Sequence, residues 1–349
     1  RFFSNMSDEK GNNWIGCPRS QLNKLINEYK QLNINIKLSL EPEFSIYKKE
    51  NDTLVPFSFD GMFTISGIDK IDSVWNKLLN SFNKTNINIE QVGKEYGPGQ
   101  YEATWKYDNV IKSIDNYLNF KDFVKSIMRD HDCFATFMPK PFDHLPGNGL
   151  HLHISLWDND NNEISCSDNQ DVPLSKLGSH FVAGLLKYAH SLTATGCASI
   201  NSYKRILPGS WSPAHICWGH ENRSTLVRIP GKADRRHIEL RHGDNINNPY
   251  IFVNTVLTAG LDGIKNKLSL EKPVLEDAGE YTDIEDSSSL KVLPRTFSES
   301  LSFLKRNNLF KKYLGDIIYD EFLKIKETEI RQYDTSVHSW ERNKYFDVF

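Results

Sequence analysis

Four stretches of the chain set carboxylate or imidazole side chains at every second position. Over 37–44, alternation puts Ser39, Glu41 and Glu43 on one face of a strand and Leu38, Leu40, Pro42 and Phe44 on the other. Residues 150–155 repeat the pattern, with His151, His153 and Ser155 opposite Leu150, Leu152 and Ile154. His237, Glu239 and Arg241 alternate with Ile238 and Leu240, and Gln100 and Glu102 share a face in a fourth strand beyond Glu95. Taken singly, each stretch reads as a half-exposed sheet with a solvated outer face. Together they do not, because solvated faces favour Lys and Thr over acid and imidazole at matched positions. Carboxylates gathered on one side of a curved sheet repel one another unless cations sit among them. An oxygen-rich donor set with imidazole suits Mg²⁺ or Mn²⁺, whereas zinc prefers more nitrogen or sulfur.

A cationic set accompanies the acidic one: Arg205, Arg223, Arg228, Arg236 and Arg241. An isolated arginine is most often a surface ion-pair partner, but Arg228 and Arg241 fall in strand-like segments near the carboxylates. Guanidinium forks match phosphate and carboxylate bidentately. Cations beside arginines point to anionic substrates that carry phosphate. The chain has neither GxxxxGK[ST] nor a strand–GxGxxG–helix, so phosphate is expected to be held by metal and arginine rather than by a glycine-rich cradle.

The elements that must position these groups follow from periodicity. Ser20 is expected to cap a helix over 20–32, followed by a strand over 35–48 and a helix over 69–84 with Ile71, Val74, Leu78 and Leu79 as its stripe. Strands are expected over 87–94 and 100–107, separated by the turn formers Gly97, Pro98 and Gly99. A long amphipathic helix covers 109–131. Further strands fit 134–138, 149–157, 214–219, 224–229 and 236–242, and further helices fit 175–195, 248–268, 297–305 and 319–332. Two polar loops, 158–171 and an acidic 276–289 read as mobile, interrupt the pattern without resembling domain linkers. Few strand pairs are separated by one clean helix, which favours an α+β sheet over a doubly wound one.

Composition narrows the function further. A formal net charge of -3 lacks the basic excess that nucleic acid or anionic membrane requires. No run approaches the roughly eighteen apolar residues of a membrane span, and the N-terminus lacks the order of a secretory signal. The cysteines, Cys17, Cys133, Cys166, Cys197 and Cys217, are odd in number and form no CxxC pair, which fits a reducing cytoplasm. The chain starts at Arg1 rather than Met, so it is read as a fragment or trimmed chain. Residues 1–17 are expected to be a linker or the remnant of an N-terminal region, and 18–349 one catalytic domain.

The residues singled out above carry a resemblance to the glutamine synthetase family. In order, the matching motifs are EPEF at 41–44, EYGPGQYE at 95–102, ATFMPKP at 135–141 and GNGLHLHISL at 147–156. NSYKRILPG at 201–209, ENRSTLVRIP at 221–230, HIELR at 237–241, NNPY at 247–250 and AGLDGI at 259–264 complete them. The resemblance implies a curved, mainly antiparallel sheet flanked by helices, in a ring-type homo-oligomer whose funnel-shaped site lies between subunits. It implies that Glu43, Glu95 and Glu102 hold a first Mg²⁺ or Mn²⁺, and that Glu41, His151 and Glu239 hold a second, which bridges the phosphates of ATP. His153 and Ser155 then resemble nucleotide-site residues. Arg223 and Arg228 resemble arginines that meet phosphate, with Arg223 also catalytic. Gly147, Arg205 and Arg241 resemble the glutamate site, with Arg205 also catalytic. The implied reaction makes γ-glutamyl phosphate from glutamate and ATP, and an amine then displaces the phosphate to give an amide.

The chain departs from the family pattern in three places. Where ammonia-using members continue from Pro-Gly with Tyr-Glu-Ala-Pro, this chain has Ser210, Trp211, Ser212 and Pro213. A tryptophan cannot attract a cation by formal charge, but it can pack an alkyl chain or make a cation–π contact. This resembles the γ-glutamyl-amine ligases, with Trp211 in the amine pocket. True glutamine synthesis from ammonia is the first alternative. A catalytically silent structural relative is the second, because the family's small N-terminal β-grasp domain is expected to be largely or wholly missing. His237 stands where an arginine is usual, with Arg236 adjacent as its expected substitute, and Pro146 replaces an asparagine before the glycine loop.

Overall fold

The computed structural model describes residues 3–85, 87–167, 169, 172–232, 235–280 and 290–348. Its strands are β1 (Asn35–Glu50), β2 (Thr53–Pro56), β3 (Ile89–Lys94), β4 (Gln100–Trp105), β5 (Asp108–Asn109), β6 (Cys133–Thr136), β7 (Leu150–Trp157), β8 (Trp218–His220), β9 (Val227–Ile229) and β10 (Ile238–Leu240). Its helices are α1 (Pro18–Gln31), α2 (Ile65–Asp69), α3 (Asp72–Asn83), α4 (Val110–Arg129), α5 (Lys176–Lys187), α6 (Ala189–Gly196), α7 (Pro249–Lys265), α8 (Phe297–Lys305), α9 (Asn308–Leu314), α10 (Asp316–Asp334) and α11 (Ser339–Tyr345). The strands form one sheet in the order β3-β4-β1-β7-β10-β9-β8, with β2, β5 and β6 also paired to β1. Every pairing is antiparallel except β8 with β9, so the fold is the expected α+β sheet flanked by helices.

β1 is the spine. Its first half pairs with β7 up to Pro42↔Leu150, and from Glu43 onward it pairs with β4 and β6. Proline has no N–H to give a ladder, and Pro42 falls where β1 changes partners. The pleat does what the alternation requires. Leu38, Leu40, Phe44, Leu152 and Leu240 are all buried on the helix side, among the same core residues as Tyr117 and Phe120 of α4. Phe44 packs its ring 5.3 Å from Phe137, 5.8 Å from Phe120 and 6.2 Å from both Trp75 and Tyr101. Truncating it leaves a cavity that stiff aromatic neighbours cannot fill. Phe44→Ala is therefore expected to cost about 3–5 kcal/mol of stability, read from the shift in chemical denaturation. A loss below 1 kcal/mol would mean that the ring cluster is not the core under the site.

Several boundaries differ from the periodicity. α1 starts at Pro18, with Cys17 rather than Ser20 at its cap, because proline's fixed φ suits the first helical turn. The expected 69–84 helix begins only at Asp72, because Ile71 (φ -110, ψ 8) leaves the helical region, and a short helix, α2, has ended at Asp69 just before it. The 175–195 helix likewise breaks at Tyr188 (φ -102, ψ 10). The last long helix begins at Asp316, after Gly315 turns the chain with φ 82, and α9 and α11 were not legible at all. Asp158 folds the first polar loop on itself, accepting the N–H groups of Asp160 and Asn162. In the two polar loops, residues 168, 170, 171 and 281–289 lie outside the described residues, so the expected mobility of the second is not addressed there. No helix among the described residues is long and apolar enough to cross a membrane.

Candidate active site

The polar face of β1, β4, β7, β9 and β10 opens onto a cavity of ≈ 630 Å³. Glu41, Glu43, Glu95, Glu102, His151 and Glu239 all line it, and so do Gly147, Trp211, Arg223, Arg228 and Arg241. Register explains the convergence. Glu41 lies opposite His151, Glu43 opposite Glu102, and Glu239 opposite both His153 and Arg228. Side chains of directly paired residues lie on the same face, so strand pairing converts four separate alternations into one cluster.

At its centre the Glu41 carboxylate is held between two imidazoles, with His151 Nδ1 2.7 Å from Oε1 and His153 Nε2 3.2 Å from Oε2. Burial works to raise the Glu41 value, but these contacts overcome it and hold the group well below the usual carboxylate range. His151 also reaches Glu239 at 3.6 Å and Glu43 at 3.9 Å. Glu239 is 1% exposed, accepting from Arg228 Nη1 at 3.1 Å and from Arg241 Nη1. Burial opposes its ionisation, yet the Arg241 charge pulls it down to about 2. Glu102 behaves oppositely. Burial, and then the charges of Glu41, Glu95 and Glu43, push it up to about 10. Burial beside Glu43 raises Glu95 as well.

The donor set therefore fits hard divalent cations. Burying these carboxylates together drives a proton onto Glu102, as expected of oxygens arranged for positive charge. Glu41, His153 and Glu239 each offer a ligand atom within 4.8 Å of the others.

A second cavity of ≈ 240 Å³ meets the first at Glu43, His151, Gly147 and Trp211, and adds Arg205 and Lys140. Arg205 is 6% exposed and donates through Nη2 to the carbonyls of His242 and, at 2.8 Å, Gly243. Gly147 gives Arg205 room, because a Cβ there would lie 2.4 Å from the Pro139 carbonyl and 2.5 Å from Arg205 Cγ. Arg223 is exposed, and its guanidinium has no ion pair or hydrogen bond among the described residues. Trp211 is 72% exposed on a turn that begins with Gly209 at φ 74, and its ring lies 5.1 Å from that of Tyr96.

Other expected residues fall differently. Ser155 lines neither cavity and accepts the Trp157 indole N–H at 2.8 Å. His153 sits beyond Glu41, with Nδ1 2.8 Å from His237 Nε2. Burial works against its charge, but the Glu41 contact raises its value, whereas burial and then His153 push His237 down to about 4. Arg236 does not substitute at the site, since its guanidinium donates to the carbonyls of Ser167 at 2.5 Å and Asn169 at 2.7 Å.

Supporting residues also emerge for which the sequence implied no role. Lys94, fully buried, donates to the carbonyls of Glu95 and Gly97 at 2.7 Å each and so fixes the loop that carries Glu95 and Tyr96. Gln100 ties that loop to Gly147, accepting from Gly97 N at 2.9 Å and donating to Gly147 O at 2.8 Å. Asn245 donates to the carbonyls of Glu43 and Gly149 at 3.0 Å and 2.7 Å, pinning β1 where it leaves β7. Only Gln100 left a signal, by sharing a face with Glu102.

The pattern described as "Glutamine synthetase, catalytic domain" matches residues 15–345. The glutamine synthetase of Staphylococcus aureus is 34% identical over 345 residues, which cover 97% of this chain and 77% of that protein. The glutamine synthetase of Methanococcus voltae is 31% identical over 353 residues, covering 100% of this chain and 78% of its own. Among solved structures, GmaS in complex with ADP superposes with a TM-score of 0.88 at 28% identity, over 97% of this chain and 79% of that one. GmaS without ligand gives 0.87 at 28% identity, over 97% and 78%.

Proposed function

The chain belongs to the glutamine synthetase family of ATP-dependent ligases, and we propose that the bond it makes is an amide between the γ-carboxylate of glutamate and an organic amine. The observation that carries the amine is Trp211, an exposed indole against Tyr96 at the junction of the two cavities. An aromatic wall there favours an alkyl group or an organic cation over bare ammonium. The likeness to GmaS supports the family and leaves the acceptor open. The curated relatives named glutamine synthetase favour the alternative in which ammonia is the acceptor. A silent structural relative is the poorer account, because a scaffold has no use for buried carboxylates that repel one another.

The two cavities suit two anionic substrates. Arg223, whose guanidinium is uncommitted among the described residues, and Arg228 face the side assigned to the phosphates of ATP. Arg205 and Gly147 line the chamber assigned to glutamate, with Arg241 across the shared wall. Glu43, Glu95 and Glu102 would hold one Mg²⁺ or Mn²⁺, and Glu41, His151 and Glu239 a second. Bound there, divalent cations supply positive charge against the transferring phosphoryl group. The arginines orient the γ-carboxylate in line with the γ-phosphorus, so that its oxygen bonds to phosphorus as the bond to ADP breaks. The neutral amine then attacks the acyl carbon, the bond from that carbon to the phosphate oxygen breaks, and the amine's lost proton leaves with the phosphate as hydrogen phosphate. The reading also takes in the family's ring-type homo-oligomer and a cytoplasmic setting, which fits five free cysteines.

ADP release with glutamate, ATP and Mg²⁺ tests the reading, comparing ammonium with alkylamines and polyamines. Release that depends on an organic amine supports it. Preference for ammonium restores glutamine synthesis, and silence with every acceptor favours the structural relative.

Glu102 gives a further expectation. With its value raised to about 10, it keeps a proton at neutral pH that a bound cation must displace. Mn²⁺ affinity should then climb roughly tenfold per pH unit through neutrality, with about one proton released per ion. The sign reverses for the cation-free fold. Its proton is held above the unfolded value, so stability falls as pH rises from about 4.5 toward about 10. Calorimetry in buffers of different ionisation enthalpy reads the release, and an affinity flat between pH 6 and pH 8 would remove the argument.

A further inference from the structure

The ladder between β1 and β7 ends at Pro42↔Leu150, and the strands part between Glu43 and Gly149. There the two residues hold each other. Glu43 N donates to the Gly149 carbonyl at 2.9 Å, and Gly149 N donates to Glu43 Oε2 at 2.7 Å. One carboxylate oxygen is thereby taken by the backbone. The other, Oε1, is left toward the cluster, 3.9 Å from His151 Nε2. Gly149 lies where both cavities meet, since a Cβ on it would come within 3.1 Å of His151 Nε2 and 3.2 Å of Arg205 Nη1.

Asn245 closes this joint from the helix side. It is 1% exposed, and both polar atoms of its side chain are engaged. Nδ2 donates to the Glu43 carbonyl at 3.0 Å and to the Gly149 carbonyl at 2.7 Å. Carbonyls only accept, so the amide has one orientation, with Oδ1 toward the Tyr117 hydroxyl that donates to it at 2.9 Å. One turn further along α4, Lys121 Nζ donates to the Asn245 carbonyl at 2.5 Å. The loop is tied on its other side as well, by Asp244 N to the Gly196 carbonyl at 3.1 Å and Leu150 N to the Gly243 carbonyl at 2.8 Å. The parting strands are therefore clamped to α4 at the residue that carries the Glu43 carboxylate.

We infer that Asn245 is a positioning residue: by bridging the Glu43 and Gly149 carbonyls it sets the Gly149 N–H, and through it the direction in which Glu43 offers Oε1 to a divalent cation. Tyr117 acts one step further back, by orienting the amide. Hydrogen-bond partners that orient metal-ligating groups typically contribute about 10–100-fold to affinity, and Asn245 works on such a partner rather than on the carboxylate, which points to the lower end. Asn245 falls between the motifs HIELR and NNPY and belongs to neither. The inference rests on the reading of Glu43 as a ligand within the carboxylate cluster.

Mn²⁺ is the probe, with binding to the full chain followed by electron paramagnetic resonance. Asn245→Leu keeps the volume and stays neutral but makes no hydrogen bond. It should weaken one of two bound ions about tenfold and leave the other unchanged, whereas a general loosening would weaken both. Tyr117→Phe leaves the amide in place and removes only the hydroxyl that orients it, so the same ion should shift in the same direction by a smaller factor. In a Glu43→Gln background, Asn245→Leu should cost less than about twofold more, because the route through which it acts is already lost. Unchanged affinity in a folded Asn245→Leu variant would overturn the inference, as would a loss just as large in the Glu43→Gln background. Should Asn245→Leu fail to fold, Tyr117→Phe decides, and unchanged affinity there overturns it too. If the unaltered chain binds no Mn²⁺, the reading of the cluster as a cation site falls first and takes the inference with it.

Discussion

Glu239→Ala is expected to lower amide formation by roughly a thousandfold or more, the scale on which a charge-organising group in such a site contributes. Glu239 is the point where the acidic and cationic sets meet. Its carboxylate accepts from Arg228 and Arg241 and lies 3.6 Å from His151, all in a position 1% exposed. Alanine there does two things. It removes an oxygen donor from the proposed second cation site, and it leaves two guanidiniums without their shared counter-charge. Breaking a buried pair by removing one partner costs about 3–5 kcal/mol, so the variant should also melt earlier. Glu239→Gln separates the effects, because the amide keeps the volume and can still accept from an arginine but carries no charge. Both variants should be inactive, and the glutamine should recover part of the lost thermal stability. Turnover near the unaltered level in either variant would show that Glu239 does not serve the reaction.

Much of this site was legible because a strand has a period of two. Alternation alone assigns Glu41 and Glu43, His151 and His153, and Glu239 to one face, whichever strands pair, and the buried Leu38, Leu40, Leu152 and Leu240 lie opposite as required. Register was not legible, since it depends on contacts between segments far apart in sequence. Nothing local says that His153 would pair with Glu239 across one strand and Ser39 across the other, or that it would meet His237 beyond the cavity. Direction was hidden too. Arg236 is beside the site in sequence, but its long side chain turns to the carbonyls of Ser167 and Asn169. Lys94 reads as an ordinary strand lysine until the loop carbonyls of Glu95 and Gly97 close over its ammonium. The helix breaks at Ile71 and Tyr188 carry neither glycine nor proline, and the apolar stripe runs through them unbroken. Packing of the helices against the sheet decides them, and no local propensity announces it.

Trp211→Glu is expected to move the preference between acceptors by about a hundredfold toward ammonium. Two terms act in the same direction. The indole is 72% exposed at the cavity wall beside Tyr96, so an acceptor's alkyl group can cover it. Covering roughly 60 Å² of apolar surface is worth about 1.5 kcal/mol, close to tenfold, and the shorter glutamate forfeits it. A carboxylate at the same place attracts a small cation through a partly screened medium, where a further 1–2 kcal/mol is a reasonable gain. The turn should tolerate the exchange. Gly209 carries the positive φ, while Ser210 Oγ accepts from Ser212 N at 3.3 Å and donates to the Arg205 carbonyl at 3.0 Å, and neither contact uses the Trp211 side chain. The measurement is kcat/KM for ammonium against methylamine and butylamine, at fixed glutamate and ATP. The KM values for glutamate and ATP should stay near those of the unaltered chain, since Arg205 and Arg223 are not disturbed. An unchanged ratio would mean that Trp211 does not line the acceptor's path, and the choice of an organic amine would lose the residue on which it stands. A ratio that shifts together with a large rise in the glutamate KM would make Trp211 part of the wall of the smaller cavity proposed for glutamate, which it also lines. Only the ammonium-selective shift, with both other substrates unaffected, identifies Trp211 as the residue that selects the acceptor.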